Sequence, residues 1–189
     1  YGQSVSVINS DPDSGVAYNT VISTISVEYT NPVRVAVTPD GTRLYVTAQV
    51  TTQGITTGKA VVVNVDPNSP GYGNLIATLS LNGIPNPYSV AATPDGTRVY
   101  VADGNLSVID SDPASVSYNT VIAVATDNYT NWGLAITPDG TRAYVGSGAS
   151  GVLVIDIDPA NIATYNTVVG GINPGGPVSS VAVSADGAR

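Results

Sequence analysis

"TPDGTR" stands at Thr38–Arg43, again at Thr93–Arg98 and a third time at Thr137–Arg142, and a worn copy, "SADGAR", occupies Ser184–Arg189. Within the phrase, Pro presets φ for the first turn position and Gly supplies the left-handed residue that a tight hairpin needs. It is hairpin chemistry rather than a catalytic signature, and each copy predicts two antiparallel strands. The strand before it is "RVAVTP" (Arg34–Pro39), matched by "SVAATP", "GLAITP" and "SVAVSA". The strand after it is "RLYVTA", "RVYVAD" or "RAYVGS". Counted from the residue before Asp-Gly (Pro39, Pro94, Pro138, Ala185), the copies are 55, 44 and 47 residues apart.

A second phrase gives the same period. Asp-Pro at Asp11, Asp66, Asp112 and Asp158 leads to "YNTVIST", "YGNLIAT", "YNTVIAV" and "YNTVVGG", at steps of 55, 46 and 46 residues. Two independent anchors therefore define a unit of about 46 residues. Each unit holds a third strand ("SVSVIN", "AVVVNV", "LSVIDS", "VLVIDI") and, after the Asp-Pro turn, a fourth that begins at "NTVISTIS" and its relatives. All are continuous or alternating apolar runs bounded by turn signals, as strands are, and no segment reads as a helix. One small residue recurs in the first strand (Ala36, Ala91, Ala135, Ala182) and marks a crowded face where strands converge.

Composition agrees. Hydrophobic residues are 42% of the 189, with Gly 20 and Pro 13, and Phe, Met, Cys and His are absent. A core of small and β-branched side chains suits pleated sheets. The net charge of −8 and the lack of a basic cluster argue against nucleic acid or an anionic membrane as partner. No apolar run approaches the roughly 18 residues needed to span a bilayer, so membrane insertion is not expected. Without Cys there is neither a disulfide framework nor a thiol nucleophile. Without His the usual general base is missing. The chain reads as a non-enzyme that needs no cofactor.

Four strands per unit at this period predict an all-β fold, a β-propeller of four-stranded antiparallel blades. A solenoid of stacked hairpins is the alternative. The single domain divides into a partial blade 1–32, blades 33–87, 88–131 and 132–177, and a partial blade 178–189. With strands lettered A to D outward from the channel, the chain opens in C and closes in A, fifteen strands in all. Joining its ends would leave one unit without strand B and its neighbours without ladder partners. A closed four-bladed ring is therefore disfavoured. About four incomplete blades of a larger ring are expected, the ring being completed by further residues or further chains.

The same residues resemble a known family. "VAVTPDGTRLYVT" (35–47), with "SVID" and "NTVIA", is similar to the YVTN-type β-propeller repeat of bacterial and archaeal surface proteins and of lactonase-like propellers. The resemblance covers essentially the whole chain. It implies a ring of roughly seven blades in a secreted or cell-surface protein. It also raises a lactonase-like hydrolase, with catalytic residues partly on other blades, as an alternative to a binding scaffold. A structural spacer in a larger surface protein is the third reading.

Candidate site residues follow from where units differ. Just before strand A, Val33, Tyr88, Trp132 and Ser179 share one position, with Tyr29, Asn31 and Arg34, Asn86, and Asn128, Tyr129 and Asn131 as neighbours. In a propeller these loops gather at one end of the channel, beside the B-to-C loops, of which "QVTTQGITTGK" (Gln49–Lys59) is the longest. Variable loops on a rigid scaffold are where binding resides, and Tyr and Trp suit interfaces. A protein or glycan is the expected partner; the plainer alternative is that the aromatics cap the blades. The pairs Asp110/Asp112 and Asp156/Asp158 are weak calcium candidates, because calcium takes converging carboxylates. Asx turns are the plainer reading. The regular recurrence of Arg43, Arg98, Arg142 and Arg189 suggests a structural task, such as pairing with the hairpin Asp or covering a blade edge, with a functional role as the lesser alternative. "NLS" at Asn105 and "NYT" at Asn128 match the glycosylation acceptor pattern, and in a bacterial protein they are expected to stay unmodified.

Overall fold

The computed structural model describes residues 3–27, 31–81, 85–125, 131–148 and 151–188. Fourteen strands form four antiparallel sheets there. β1 (Ser4–Ile8) pairs with β2 (Val21–Ser26). The second sheet runs β3 (Asn31–Val37), β4 (Arg43–Thr52), β5 (Ile55–Asn64), β6 (Leu75–Ser80). The third runs β7 (Ser89–Ala92), β8 (Arg98–Ala102), β9 (Leu106–Asp110), β10 (Val121–Val124). The fourth runs β11 (Asn131–Ile136), β12 (Arg142–Ser147), β13 (Gly151–Asp156), β14 (Thr167–Ile172). Each strand bonds to its sequence neighbour, so every sheet is a meander, as the repeat predicts.

The repeated phrase closes each hairpin in one way. The Thr38 amide donates to the Arg43 carbonyl at 2.9 Å and the Gly41 amide to the Thr38 carbonyl at 2.8 Å, with Gly41 at φ 71°. Asp40 then accepts from the Thr38 hydroxyl at 2.6 Å and from the Thr42 amide at 3.0 Å. Both threonines are thus explained: each helps hold the carboxylate that fixes the turn. These bonds hold the Asp40 carboxyl below its ordinary value, the Thr38 hydroxyl contributing most.

Successive sheets pack face to face. In β4, Leu44 and Val46 bury against Ile25 and Val27 of the first sheet, while Tyr45 points the other way, onto Val99 and Val101 of β8. In β8, Tyr100 and Ala102 turn onward to Ala143 and Val145 of β12. The middle strands are covered on both faces, which is why their sequences read as unbroken apolar runs. The inner strands β3, β7 and β11 touch in succession. The turns stack as well: a Cβ on Gly96, Gly140 or Gly187 would stand 3.5, 3.4 or 3.5 Å from Cδ of Pro39, Pro94 or Pro138 in the preceding turn. The result is a propeller-like fan of sheets around their inner strands.

Three features depart from expectation. Residues 178–183 form no strand, because a strand exists through its ladder and no neighbour offers one. Their backbone instead crosses β11 and β12 closely enough that a Cβ on Gly133 or Gly146 would lie 2.7 Å from Ser180 Cα or the Val178 carbonyl oxygen. The 49–59 stretch is not a loop: Gln49 pairs with Gly58 and Thr52 with Ile55, so only Gln53-Gly54 turns, at φ 52° and 80°. The second sheet therefore carries a two-stranded arm. Finally, Pro12–Ala17 winds as a 3₁₀ segment interrupted at Gly15, φ 66°.

Candidate functional site

The two ends of the fan differ chemically. At the end bearing the Pro-Asp-Gly turns and the Asp-Pro loops, the polar groups are engaged with one another. Arg98 Nη1 meets Asp110 Oδ1 at 2.9 Å, and Arg142 Nη1 meets Asp156 Oδ1 at 2.7 Å. Arg98 and Arg142 therefore pair with the carboxylate ending strand C, not with the hairpin Asp, while Arg189 lies outside the described residues. That Asp is already saturated by its own threonines, whereas strand C lies beside the arginine in the ladder (Arg98↔Asp110, Arg142↔Asp156). Arg43 has Asn64 at this place, 3.3 Å away, and its Nε donates to the Tyr118 hydroxyl of the next sheet at 3.1 Å.

The calcium candidates are committed to this scaffold. Asp110 also accepts from the Ser115 hydroxyl at 2.6 Å and from the Asp112 amide at 3.1 Å. Burial pushes its carboxyl up, but the Ser115 and Ser117 hydroxyls, the Asp112 amide and Arg98 outweigh it, and the net shift is downward. Asp156 is held down mainly by the Thr164 hydroxyl, which donates at 2.6 Å. Asp112 and Asp158 instead accept from the Ala114 and Ala160 amides, both at 2.9 Å, as Asx turns do. Within each pair the two carboxylates serve different turns. Among the described residues no three acidic side chains gather as a metal site.

Sequence reasoning missed a link between sheets. The Tyr45 hydroxyl donates to Asn119 Oδ1 at 3.1 Å, and the Tyr100 hydroxyl to Asn166 Oδ1 at 2.7 Å. Both acceptors are left-handed, at φ 57° and 60°, a conformation Asn tolerates better than other side-chain-bearing residues. Burial raises the pKa of both tyrosines, so each remains a donor. The signal was the repeated Tyr-Asn-Thr, whose Asn is replaced by Gly73, also left-handed, in the second sheet.

The other end carries the candidate binding residues. β3, β7 and β11 begin there side by side, which places Asn31, Tyr88, Asn131 and Trp132 on one rim. Asn31 donates to Gln49 at 3.3 Å across the β3–β4 ladder. Tyr88 is half-buried, its amide donating to the Ala102 carbonyl at 2.7 Å. Trp132 is half-buried at the start of β11, and Asn86 is exposed. Arg34, exposed, sits further down β3, past a ladder irregularity at Val33, and its guanidinium folds back onto the Val33 carbonyl at 2.8 Å. Tyr29, Asn128 and Tyr129 lie outside the described residues. A buried carboxylate, Asp103, stands at this end unforeseen, accepting from the Ser107 hydroxyl at 2.9 Å. Its position is occupied by Ala48 and Ser147 in the neighbouring sheets, so no repeat pattern announced it.

No protein-family model matches the chain, and no curated protein sequence matches it. Among solved structures, hydrazine synthase from Kuenenia stuttgartiensis is similar, with a TM-score of 0.69 at 18% identity, over 98% of this chain and 60% of that one. At that identity the likeness concerns the fold. The chain spans less than two thirds of the neighbour's length.

Proposed function

We propose that this chain is part of a β-propeller of roughly seven blades, of the YVTN type, that acts as a non-catalytic binding scaffold in a secreted or cell-surface protein. The observation carrying this reading is the contrast between the two ends. At one, carboxylates, hydroxyls and guanidinium groups bond to one another. At the other, the side chains of Asn86, Tyr88 and Trp132 make no hydrogen bond among the described residues. Flat rings with adjacent amides suit a carbohydrate better than a protein: the rings accept the C–H face of a sugar and the amides its hydroxyls.

Trp132 is the only tryptophan, so its fluorescence reports on this rim directly. The chain, screened on an immobilised oligosaccharide array, is expected to bind a subset of glycans that also perturb Trp132 emission. Trp132→Ala should weaken that binding by roughly tenfold or more, as loss of an aromatic anchor does. Binding unchanged in Trp132→Ala, or no array binding at all, would overturn the glycan reading. Turnover of a lactone by the chain would favour the hydrolase instead.

A further inference from the structure

The second sheet stands taller than the third at the rim. The third sheet's ladder ends at Ala102↔Leu106 and closes through Asp103–Asn105, the Asp103 amide donating to the Asn105 carbonyl at 3.1 Å. The corresponding pair in the second sheet is Thr47↔Ala60, and five pairs follow it, out to Thr52↔Ile55. At about 3.2 Å per residue, the arm rises roughly 16 Å past the turn of the third sheet. Its two faces differ. Tyr45 turns onto the third sheet and Val46 onto the first, and the ladder from there to the tip has no register shift. By alternation, Gln49 and Thr51 share the Tyr45 face with their partners Gly58 and Thr56. Val50, Thr52, Ile55 and Thr57 lie on the other. The face toward the third sheet thus offers hydroxyls and an amide. Thr51 and Thr56 are in hydrogen-bond contact at 2.9 Å, and Gln49 accepts from Asn31 of the rim at 3.3 Å. Ile55, 68% exposed, is turned away, and no charged residue occurs between Arg43 and Lys59.

Resting on the reading of the rim as a glycan site, we infer that this face of the arm is one wall of an elongated groove for a neutral oligosaccharide several residues long. Thr51 and Thr56 bind its hydroxyl groups. The inner strand β7, which Tyr88 precedes, packs on both β3 and β4, so Tyr88 lies at the foot of the arm and Trp132 follows in the next sheet. Hydroxyl wall, Tyr88 and Trp132 therefore come in series across three sheets, a wider span than one sugar ring covers. Threonine hydroxyls both donate and accept, as sugar hydroxyls do, and need no charge on the ligand. A uronate or sulfated chain would need free cations. Among the described residues the rim end carries Arg34 and Lys59, and both are engaged: Arg34 with the Val33 carbonyl at 2.8 Å, Lys59 with the Ser80 hydroxyl at 2.8 Å. The net charge of −8 further repels a polyanion.

The test is affinity against chain length, read by calorimetry and Trp132 emission. The probes are cello-, malto- and N-acetylchito-oligosaccharides from disaccharide to hexasaccharide, with oligogalacturonate as the acidic counterpart. Two double variants are compared, Thr51→Val/Thr56→Val on the groove face and Thr52→Val/Thr57→Val on the opposite face. Valine keeps the branched shape and strand preference, so both should fold, checked by circular dichroism. With the unmodified chain, affinity for at least one neutral series should rise with length, roughly fivefold for each hydrogen bond gained. The Thr51/Thr56 variant should match the unmodified chain on the disaccharide and lose that rise, and the Thr52/Thr57 variant should keep it. The inference is overturned if no neutral series binds, if affinity does not grow with length, or if oligogalacturonate binds more tightly. It is equally overturned if the two double variants behave alike. Array binding that requires Trp132 would survive all of these results, whereas its absence would take the rim reading down as well.

Discussion

Tyr100 shows what a single hydroxyl does in this molecule. Its ring lies in the core between the third and fourth sheets, and its oxygen reaches Asn166, 66 residues away, at 2.7 Å. Tyr100→Phe keeps the packing and removes the bond, and should lower stability by about 1 kcal/mol. Asn166→Ala should cost more, about 2 kcal/mol, because Ala must also be forced into the left-handed region. Asn166→Gly should fall between them, and urea midpoints will rank the three. Asp110→Ala removes a buried carboxylate shared by an arginine, two serines and an amide, and should cost roughly 2–3 kcal/mol by the same measurement. At this scale the hairpin phrase was legible, since Thr, Pro, Asp, Gly and Thr act on one another within six residues. The Arg–Asp pairing was not, because it depends on which residue the ladder places opposite, and neither was the Tyr–Asn bond, whose partners belong to different units.

Among the elements, the arm formed by β4 and β5 differed most from its reading. "QVTTQGITTGK" (Gln49–Lys59) reads as a loop because it accounts for the extra length of its unit. The threonines on both sides of the turn were nonetheless strand-like, and they pair, with Thr51 and Thr56 in hydrogen-bond contact at 2.9 Å. Gln53 occupies a left-handed position that Asn prefers. Gln53→Asn should therefore stabilise the protein by about 0.5 kcal/mol, a small upward shift of the thermal midpoint. The opposite lesson comes from 178–183, whose sequence reads as a strand yet forms none: a pattern can specify a strand's faces but cannot supply its ladder. Likewise the rim could be placed from sequence, since strand order fixes which ends gather, whereas Asp103 escaped because it has no counterpart in the other units.

Over the whole molecule, charge and titration set one expectation. The chain has no His and no Cys, so no side chain with an ordinary value titrates between the carboxylates and the tyrosines. Asp40, Asp95, Asp110, Asp139, Asp156 and Asp186 all lie below their ordinary value of 3.8 in the folded state. Their contribution is fully present above that value and is lost as pH falls through the lower folded values. Tyr45 and Tyr100 lie above their ordinary 10.0, so their contribution is present below that value and is lost as pH rises beyond it. The urea midpoint should stay level from about pH 5 to about pH 9 and drop on either side. A slope inside that plateau would mean that some other group is titrating.

The stacking of Gly96, Gly140 and Gly187 onto the proline of the turn before each means that successive units meet through a standard fitting. A whole repeat added or removed by gene duplication or loss leaves both fittings intact, so the number of units can drift without any joint being redesigned. A partial repeat breaks one, and evolution in this architecture should proceed in steps of an entire unit.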